Sequence, residues 1–278
     1  MYRLISSDLD LTLIDDTYML PSANAEAVSK TIASGLHFVV NSGRSSNSIL
    51  PYEEKLGLIR EGGYGISFNG SVVYETASRH KIRDVRLGNI FAFEILGTVS
   101  ESGECGVAYV DNDMYVLKQH NELVSSYVNR VTTPVHVIER FEHVEGEITK
   151  VLVAAKPEVL IPLQSEIDGR AAGRFSSTLT APFLLEFMSN EAGKGKALAF
   201  LAEYLGISMA ETIAIGDFFN DISALKVAGL PVAVANADAE LKKIAMYITA
   251  RPCHEGAVAE VIEKFILGEE QTRGALSI

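Results

Sequence analysis

The sequence holds no tryptophan, only two cysteines and only six histidines in 278 residues. Cys105 and Cys253 stand far apart and in no C-x-x-C spacing, which excludes a disulfide framework and a four-thiolate metal site and fits a reducing compartment. His37, His80, His120, His136, His143 and His254 make no H-E-x-x-H or comparable pattern, so zinc is disfavoured. Basic residues are scarce as well: 24 Lys and Arg against 36 Asp and Glu give a net charge of −12 and a pI near 5.0. That balance argues against a nucleic-acid backbone or an anionic membrane as partner. A small anionic substrate stays open, because one lysine, a few backbone amides and a bound cation can reverse the field inside a cleft. No stretch approaches 18 uninterrupted apolar residues, and the chain reaches Asp8 and Asp10 without the basic-then-apolar layout of a signal peptide. The expectation is a soluble cytoplasmic protein.

What is present suffices for a sizeable core, with 47% hydrophobic residues including 12 Phe and 10 Tyr. Leu4-Ile5 reads as a short strand, Ser22 to Ala33 as a helix, Leu36 to Val40 as a second strand and Ser45 to Leu56 as a second helix, with Pro51 expected to bend or restart it. The same alternation returns later. Lys194 to Leu205 carries a helical face, Thr212 to Ile215 and Val232 to Val234 read as strands, and Asp221 to Val227 and Ala237 to Ala245 read as helices. Met246 to Thr249 reads as a final strand, followed by a helix over Glu255 to Ile266. The middle differs. Phe91 to Val99, Gly106 to Leu117, Thr149 to Ala154 and Phe183 to Met188 read as extended, with a hairpin turn at Asp111-Asn112-Asp113 and a short helical or turn segment between Pro157 and Pro162. The expected fold is therefore α/β: a doubly wound parallel-sheet, Rossmann-like core made of residues 1–80 and 187–278, with an inserted α+β cap over 81–186.

Four short segments carry chemistry. Asp8-Leu9-Asp10-Leu11-Thr12 leaves the first strand, and residues two apart in an extended backbone share a side, so Asp8 and Asp10 can face one cleft. Two carboxylates held together repel, and a divalent cation keeps them ionised; an acidic turn capping the next segment would use the same residues. Ser42-Gly43-Arg44 follows the second strand and can bind an oxyanion through the Ser42 hydroxyl and nearby N–H groups. Arg44 can assist or face water. Gly193-Lys194-Gly195-Lys196 opens a helix, where Lys194 can neutralise a carboxylate and a phosphoryl oxygen and Lys196 is expected in solvent. It is no P-loop, since the G-x-x-x-x-G-K-[ST] spacing is absent. Gly216-Asp217-Phe218-Phe219-Asn220-Asp221 supplies two more carboxylates and an amide at a strand end, an oxygen set suited to Mg²⁺ and unlike an EF-hand loop.

Together these segments resemble the haloacid-dehalogenase-like phosphatases, in particular the Cof-type branch (subclass IIB) with its large cap. Asp8, Asp10 and Thr12 match D-x-D-x-T, Ser42-Gly43-Arg44 matches the second motif, Lys194 the third, and Gly216, Asp217, Asn220 and Asp221 match G-D-x-x-N-D. Phe68-Asn69-Gly70 and Asn236-Ala237 also look like that branch, and the resemblance covers residues 1 to about 75 and 187 to about 266. Leu11 stands where the branch carries glycine.

The resemblance implies Asp8 as nucleophile, forming an aspartyl-phosphate, and Asp10 as acid and then base. It implies Mg²⁺ held by Asp8, the Asp10 carbonyl, Asp217 and Asp221. Ser42, Gly43, Lys194 and Asn220 would bind the phosphoryl group. Thr12, Arg44 and Asn69 are further candidates, Asn69 being equally an ordinary Asn-Gly turn. The expected substrate is a small phosphomonoester such as a sugar or cofactor phosphate, and the expected protein a monomer or weak homodimer. Alternative readings are a sugar phosphomutase and a non-catalytic binding protein that kept the fold. In the cap, Tyr109, Tyr115 and Arg174 can contact substrate or serve packing and solvent.

Overall fold

A computed structural model of the protein describes residues 1–129, 132–171 and 173–268. The chain opens with β1 (Leu4–Ser7), buried along its whole length, then α1 (Ser22–Ala33), β2 (His37–Val40) and α2 (Ser46–Lys55). The Ser45 side chain accepts the Ser48 N–H at 3.3 Å and so caps α2, and Pro51 is accommodated within that helix. Three antiparallel strands follow, β3 (Tyr64–Ser67), β4 (Val72–Glu75) and β5 (Lys81–Asp84), joined to the end of β2 by a bridge between Asn41 and Ile66.

The insert contains α3 (Asn89–Glu101), β6 (Gly106–Val110), β7 (Asp113–Leu117), α4 (Glu122–Val128), β8 (Val135–Ile138), β9 (Lys150–Ala154), α5 (Pro157–Ala171), β10 (Phe175–Ala181) and β11 (Leu184–Ser189). The chain then returns through α6 (Lys194–Tyr204), β12 (Thr212–Gly216), α7 (Ile222–Val227), β13 (Leu230–Ala233), α8 (Ala239–Ile244), β14 (Tyr247–Ile248) and α9 (Ala257–Ile262).

Both ends of the sequence share one parallel sheet of order β14-β13-β12-β1-β2. From β1 the chain steps outward to β2, whereas β12, β13 and β14 step outward in the opposite direction. The order therefore reverses between β1 and β12, and a sheet of this kind opens its ligand crevice beyond the carboxyl ends of the strands at such a reversal. Asp8 follows β1 and Asp217 follows β12, so the fold itself delivers them to that crevice. α1 packs against α9, where Val258, Val261 and Ile262 are fully buried, each contributing about 1.5–3 kcal/mol relative to exposure. α6 packs against α7.

The insert is built on a six-stranded sheet of order β10-β11-β9-β6-β7-β8, antiparallel except for the β7–β8 pair. Strand alternation splits its residues between two clusters. Ala108, Val110, Val151, Val153, Leu185 and Phe187 pack with residues of α3 and α5. Val107, Tyr109, Leu152 and Ala154 pack with Val124 of α4 and with Phe68, Val72 and Tyr74 of the core. The hairpin turn after β6 and the extended segments over 149–154 and 183–188 agree with the sequence expectation.

Phe91 to Val99 does not. It lies within helix α3, because Ala92, Ile95, Leu96 and Val99 recur at helical spacing and form one buried face, and that periodicity outweighs the strand preference of Phe, Ile and Val. The segment after Pro157 is likewise a 15-residue helix rather than a single turn.

Candidate active site

The site is assembled from the ends of three neighbouring strands and the start of one helix. Asp8 continues β1, Asn41-Ser42-Gly43 continues β2, Asp217 continues β12, and Lys194 is the first residue of α6. Lys194 is 1% exposed, and its ammonium donates to Asp8 Oδ1 at 2.5 Å and to Asp221 Oδ1 at 2.7 Å. The other Asp221 oxygen accepts the backbone N–H groups of Asp217 at 3.0 Å and Phe218 at 3.2 Å. This loop closes tightly: a Cβ on Gly216 would stand 2.3 Å from Asp221 Cγ, so only glycine fits there. The buried Thr12 hydroxyl donates to Asp217 Oδ1 at 3.1 Å.

Asp8, Asp217 and Asp221 each present an oxygen within 4.8 Å of the others, and all three are buried. Against their three negative charges stands the one buried ammonium of Lys194. Burial pushes the Asp8 carboxyl up to about 7; Lys194 opposes that rise, while the charges of Asp221 and Asp10 add to it. Burial likewise raises Asp217 well above the usual carboxylate range, reinforced by Asp8 and Asp221. Lys194 is raised, since attraction to Asp221 and Asp8 outweighs the effect of its burial.

An all-oxygen set with two uncompensated charges and no imidazole or thiolate fits a hard divalent cation, Mg²⁺ above all. Among the described residues, Asp8 Oδ2 and Asp217 Oδ2 accept no hydrogen bond, so each of these carboxylates keeps an oxygen for a ligand. The Asp10 side chain lies outside this cluster. Its carboxylate is 42% exposed and is gripped on both oxygens by Arg44, with Nε at 2.9 Å from Oδ2 and the second bond made by Nη2 to Oδ1. The Arg44 guanidinium lies 5.2 Å from the Tyr18 ring centroid and 5.6 Å from that of Tyr52, which fixes it from the far side.

Ser42 is 1% exposed, and its Oγ accepts the Arg44 N–H at 3.2 Å, so the hydroxyl keeps its proton to donate. Gly43 is packed so closely that a Cβ would meet the Asn69 side chain at 3.0 Å. Asn69 and Asn220 are bonded to each other, Asn220 Nδ2 donating to Asn69 Oδ1 at 3.0 Å. Lys196 is exposed, as expected, with its ammonium on the Asn190 carbonyl at 2.5 Å. Of the cap candidates, Arg174 is engaged with Glu94 and Tyr115 stacks on His136, while Tyr109 shares a hydrogen bond of 2.8 Å with Tyr127 beneath the cap sheet. The Tyr127 phenol is pushed up by burial and the Glu186 charge.

Leu11, which stands where the branch carries glycine, holds a left-handed backbone, φ 56°, and its carbonyl accepts Nδ2 of Asn236, from the Asn236-Ala237 segment, at 2.8 Å. Sequence reasoning missed several supporting residues. Asn41 Nδ2 donates to the Lys194 carbonyl at 3.2 Å and Ser223 Oγ accepts the Gly195 N–H at 3.1 Å, both steadying the start of α6. An Asn after a strand and a Ser in the first turn of a helix carry no distinctive signal. Lys150 and Glu186 did carry one, a charge inside an otherwise apolar strand.

A family model for the haloacid dehalogenase-like hydrolases matches residues 5–262. The chain belongs to that family. YxeH of Bacillus subtilis is 30% identical to it over 272 residues, spanning 97% of this chain and 100% of YxeH. The phosphatase YwpJ of the same organism is 26% identical over 275 residues, spanning 89% of this chain and 94% of YwpJ. Among solved structures, a haloacid dehalogenase-like hydrolase from Bacteroides thetaiotaomicron superposes with a TM-score of 0.86 at 28% identity, covering 96% of this chain and 100% of that one. Among the described residues no helix is long and apolar enough to cross a membrane.

Proposed function

We propose that this haloacid dehalogenase-like hydrolase is a Mg²⁺-dependent phosphatase that cleaves small phosphomonoesters through an aspartyl-phosphate on Asp8. The observation that carries the reading is the buried cluster of Asp8, Asp217 and Asp221 closed by Lys194. Asp8 and Asp217 would hold the cation with the Asp10 carbonyl, and Asp221 would back them. When bound, Mg²⁺ draws the phosphoryl oxygens to the cluster and offsets their charge.

The chain's own groups do the rest. Lys194 favours the ionised form of Asp8 and aims its carboxylate, one oxygen of which attacks phosphorus. As the P–O bond to the leaving group breaks, Asp10, having taken up a proton from solvent and swung off Arg44 into the cleft, gives that oxygen the proton. The resulting Asp10 carboxylate then takes a proton from the water that attacks the aspartyl-phosphate, which returns Asp8 and releases phosphate. Before substrate enters, Arg44 holds the Asp10 carboxylate on both oxygens at the mouth of the cleft, and Asp10 leaves that contact to act as acid and base. Ser42, with its hydroxyl proton, and the Gly43 backbone face the equatorial phosphoryl oxygens, with Asn220 orienting from the opposite loop.

The assignment to the Cof-type branch is supported by the large mixed cap inserted between the Ser42 and Lys194 segments. The same placement supports a division into a core of 1–80 and 187–278 and a cap of 81–186, with one crossing at the start of β5 and the other within β11. A covered cleft favours small metabolites such as sugar or cofactor phosphates over phosphoproteins or nucleic acid, and an acidic chain with few cysteines suits the cytoplasm as a monomer or weak homodimer. Hydrolysis of a panel of phosphorylated metabolites, assayed with Mg²⁺ and again with a strong chelator, tests the reading. Turnover that persists in chelator, or a panel with no substrate at all, contradicts it.

A further inference from the structure

β9 and β11 are apolar strands that each carry one charge on the face turned toward the core. Lys150 alternates with Val151 and shares its face with Leu152 and Ala154, whereas Glu186 stands between Leu185 and Phe187, which point the other way. In the β9–β11 register Lys150 is opposite Met188 and Glu186 opposite Leu152, so the two charges are diagonal neighbours. They are 1% and 3% exposed and bonded at 2.7 Å. Two ions buried in this way are no more stabilising than a well-packed apolar pair of similar volume, so stability alone does not account for them.

Their remaining bonds leave the cap. Lys150 Nζ donates to the Gly43 carbonyl at 2.9 Å, and it lies 5.0 Å and 5.5 Å from the ring centroids of Tyr109 and Phe68. Glu186 Oε2 accepts Asn69 Nδ2 at 2.7 Å, and Asn69 accepts Asn220 in turn. The Gly43 carbonyl belongs to the same rigid peptide unit as the Arg44 N–H, which engages Ser42 Oγ. Holding that carbonyl from above therefore sets the plane of the peptide and, with it, the direction of the Ser42 hydroxyl. Through Asn69 and Asn220 the same pair reaches the loop that carries Asp217 and Asp221.

We propose that Lys150 and Glu186 are positioning residues for phosphoryl transfer: two cap side chains that fix the Ser42–Gly43 loop and the Asn69–Asn220 pair in the geometry the transition state needs. The assignment rests on the phosphatase reading above. Neither residue touches the phosphoryl group. The cap then contributes to the rate of the chemical step for every substrate, including those whose leaving group makes no contact with it.

The test uses the full-length protein with saturating Mg²⁺ and an activated aryl phosphate, comparing wild type with Lys150→Met, Glu186→Gln, the double variant Lys150→Met/Glu186→Leu, and Glu94→Gln as a cap control. Glu94 pairs with Arg174 at 2.8 Å on the outer side of the cap, away from the core. Each measurement is kcat, KM, the inhibition constant for orthovanadate and the melting temperature. The single variants should lose about 10- to 100-fold in kcat, the range for groups that orient a reacting shell, with a much smaller change in KM and a parallel weakening of vanadate binding. The double variant should regain part of the melting temperature lost by the single variants, because no ion is left buried without its partner, yet keep the low kcat. Glu94→Gln should match wild type throughout. A double variant with wild-type kcat, or single variants that bind vanadate as wild type does, would overturn the assignment. A wild-type protein inactive on the aryl phosphate would overturn the phosphatase reading, and this assignment with it.

Discussion

Asp8 and Lys194 lie 186 positions apart in sequence and meet in a buried hydrogen bond of 2.5 Å. The ammonium is the only cation in direct contact with the carboxylate cluster among the described residues, and burial of Asp8 makes that contact decisive for its charge.

Replacing Lys194 by Met should therefore harm both folding and turnover. It leaves three buried carboxylates without a counter-ion, a change that costs about 3–5 kcal/mol when one partner of a buried pair is removed. Denaturant unfolding without metal measures the first effect and kcat with excess Mg²⁺ the second. A variant as stable and as active as wild type would contradict the role given to this residue.

The raised carboxyls of Asp8 and Asp217 set the pH dependence. A carboxyl whose pKa is raised by folding contributes stability that is full below its unfolded value, near 3.8, and is lost as pH rises through its folded value, about 7 for Asp8. The metal-free protein should thus lose stability between roughly pH 4 and pH 8 through these two groups. Mg²⁺ competes with the same protons, so its stabilising effect should grow across that window. Thermal melts with and without Mg²⁺ at pH 5 and pH 8 check this, and a metal effect that is larger at pH 5 would refute it.

Leu11 occupies a left-handed conformation that costs a residue with a side chain roughly 1–2 kcal/mol. It is 41% exposed, so little packing is lost with the side chain. Leu11→Gly should leave stability within about 1 kcal/mol of wild type and keep activity. Leu11→Val, branched at Cβ, should destabilise by about 1 kcal/mol or more. Equal melting temperatures for the two variants would show that the loop is not held as described.

Much of this was legible in the sequence. The parallel sheet and the four motifs were readable because the short apolar runs Leu4-Ile5, Leu36 to Val40 and Thr212 to Ile215 give way within two residues to the polar segments that carry Asp8, Ser42 and Asp217, and such a break marks a strand end facing a crevice. Helix α1 was placed at its full length because Ala27, Val28 and Gly35 mark its face and its stop. The insert was less readable: β8 is largely exposed, β10 is only partly buried, and neither shows clean alternation. Phe91 to Val99 misled because residues that favour strands also fill a helix face when the spacing allows. Lys150 and Glu186 stand 36 positions apart, each a single charge in its strand, and only the β9–β11 register brings them together.

Asp10→Asn should separate the two halves of the reaction. The amide neither protonates a leaving oxygen nor takes a proton from water, so turnover should fall steeply, by about 100-fold or more. An aryl phosphate leaves without protonation and should still load the enzyme with phosphate, while an alkyl phosphate should not. Quenched-flow measurement of phospho-enzyme with each substrate checks this. Equal loading from both would remove Asp10 from the acid step.

The central claim is the covalent bond to Asp8. Enzyme mixed with an activated aryl phosphate and Mg²⁺, quenched in acid within the first turnovers and digested, should yield one phosphorylated peptide with the modification on Asp8, and Asp8→Asn should yield none. Phosphate found on another residue, or normal turnover by Asp8→Asn, would contradict the account.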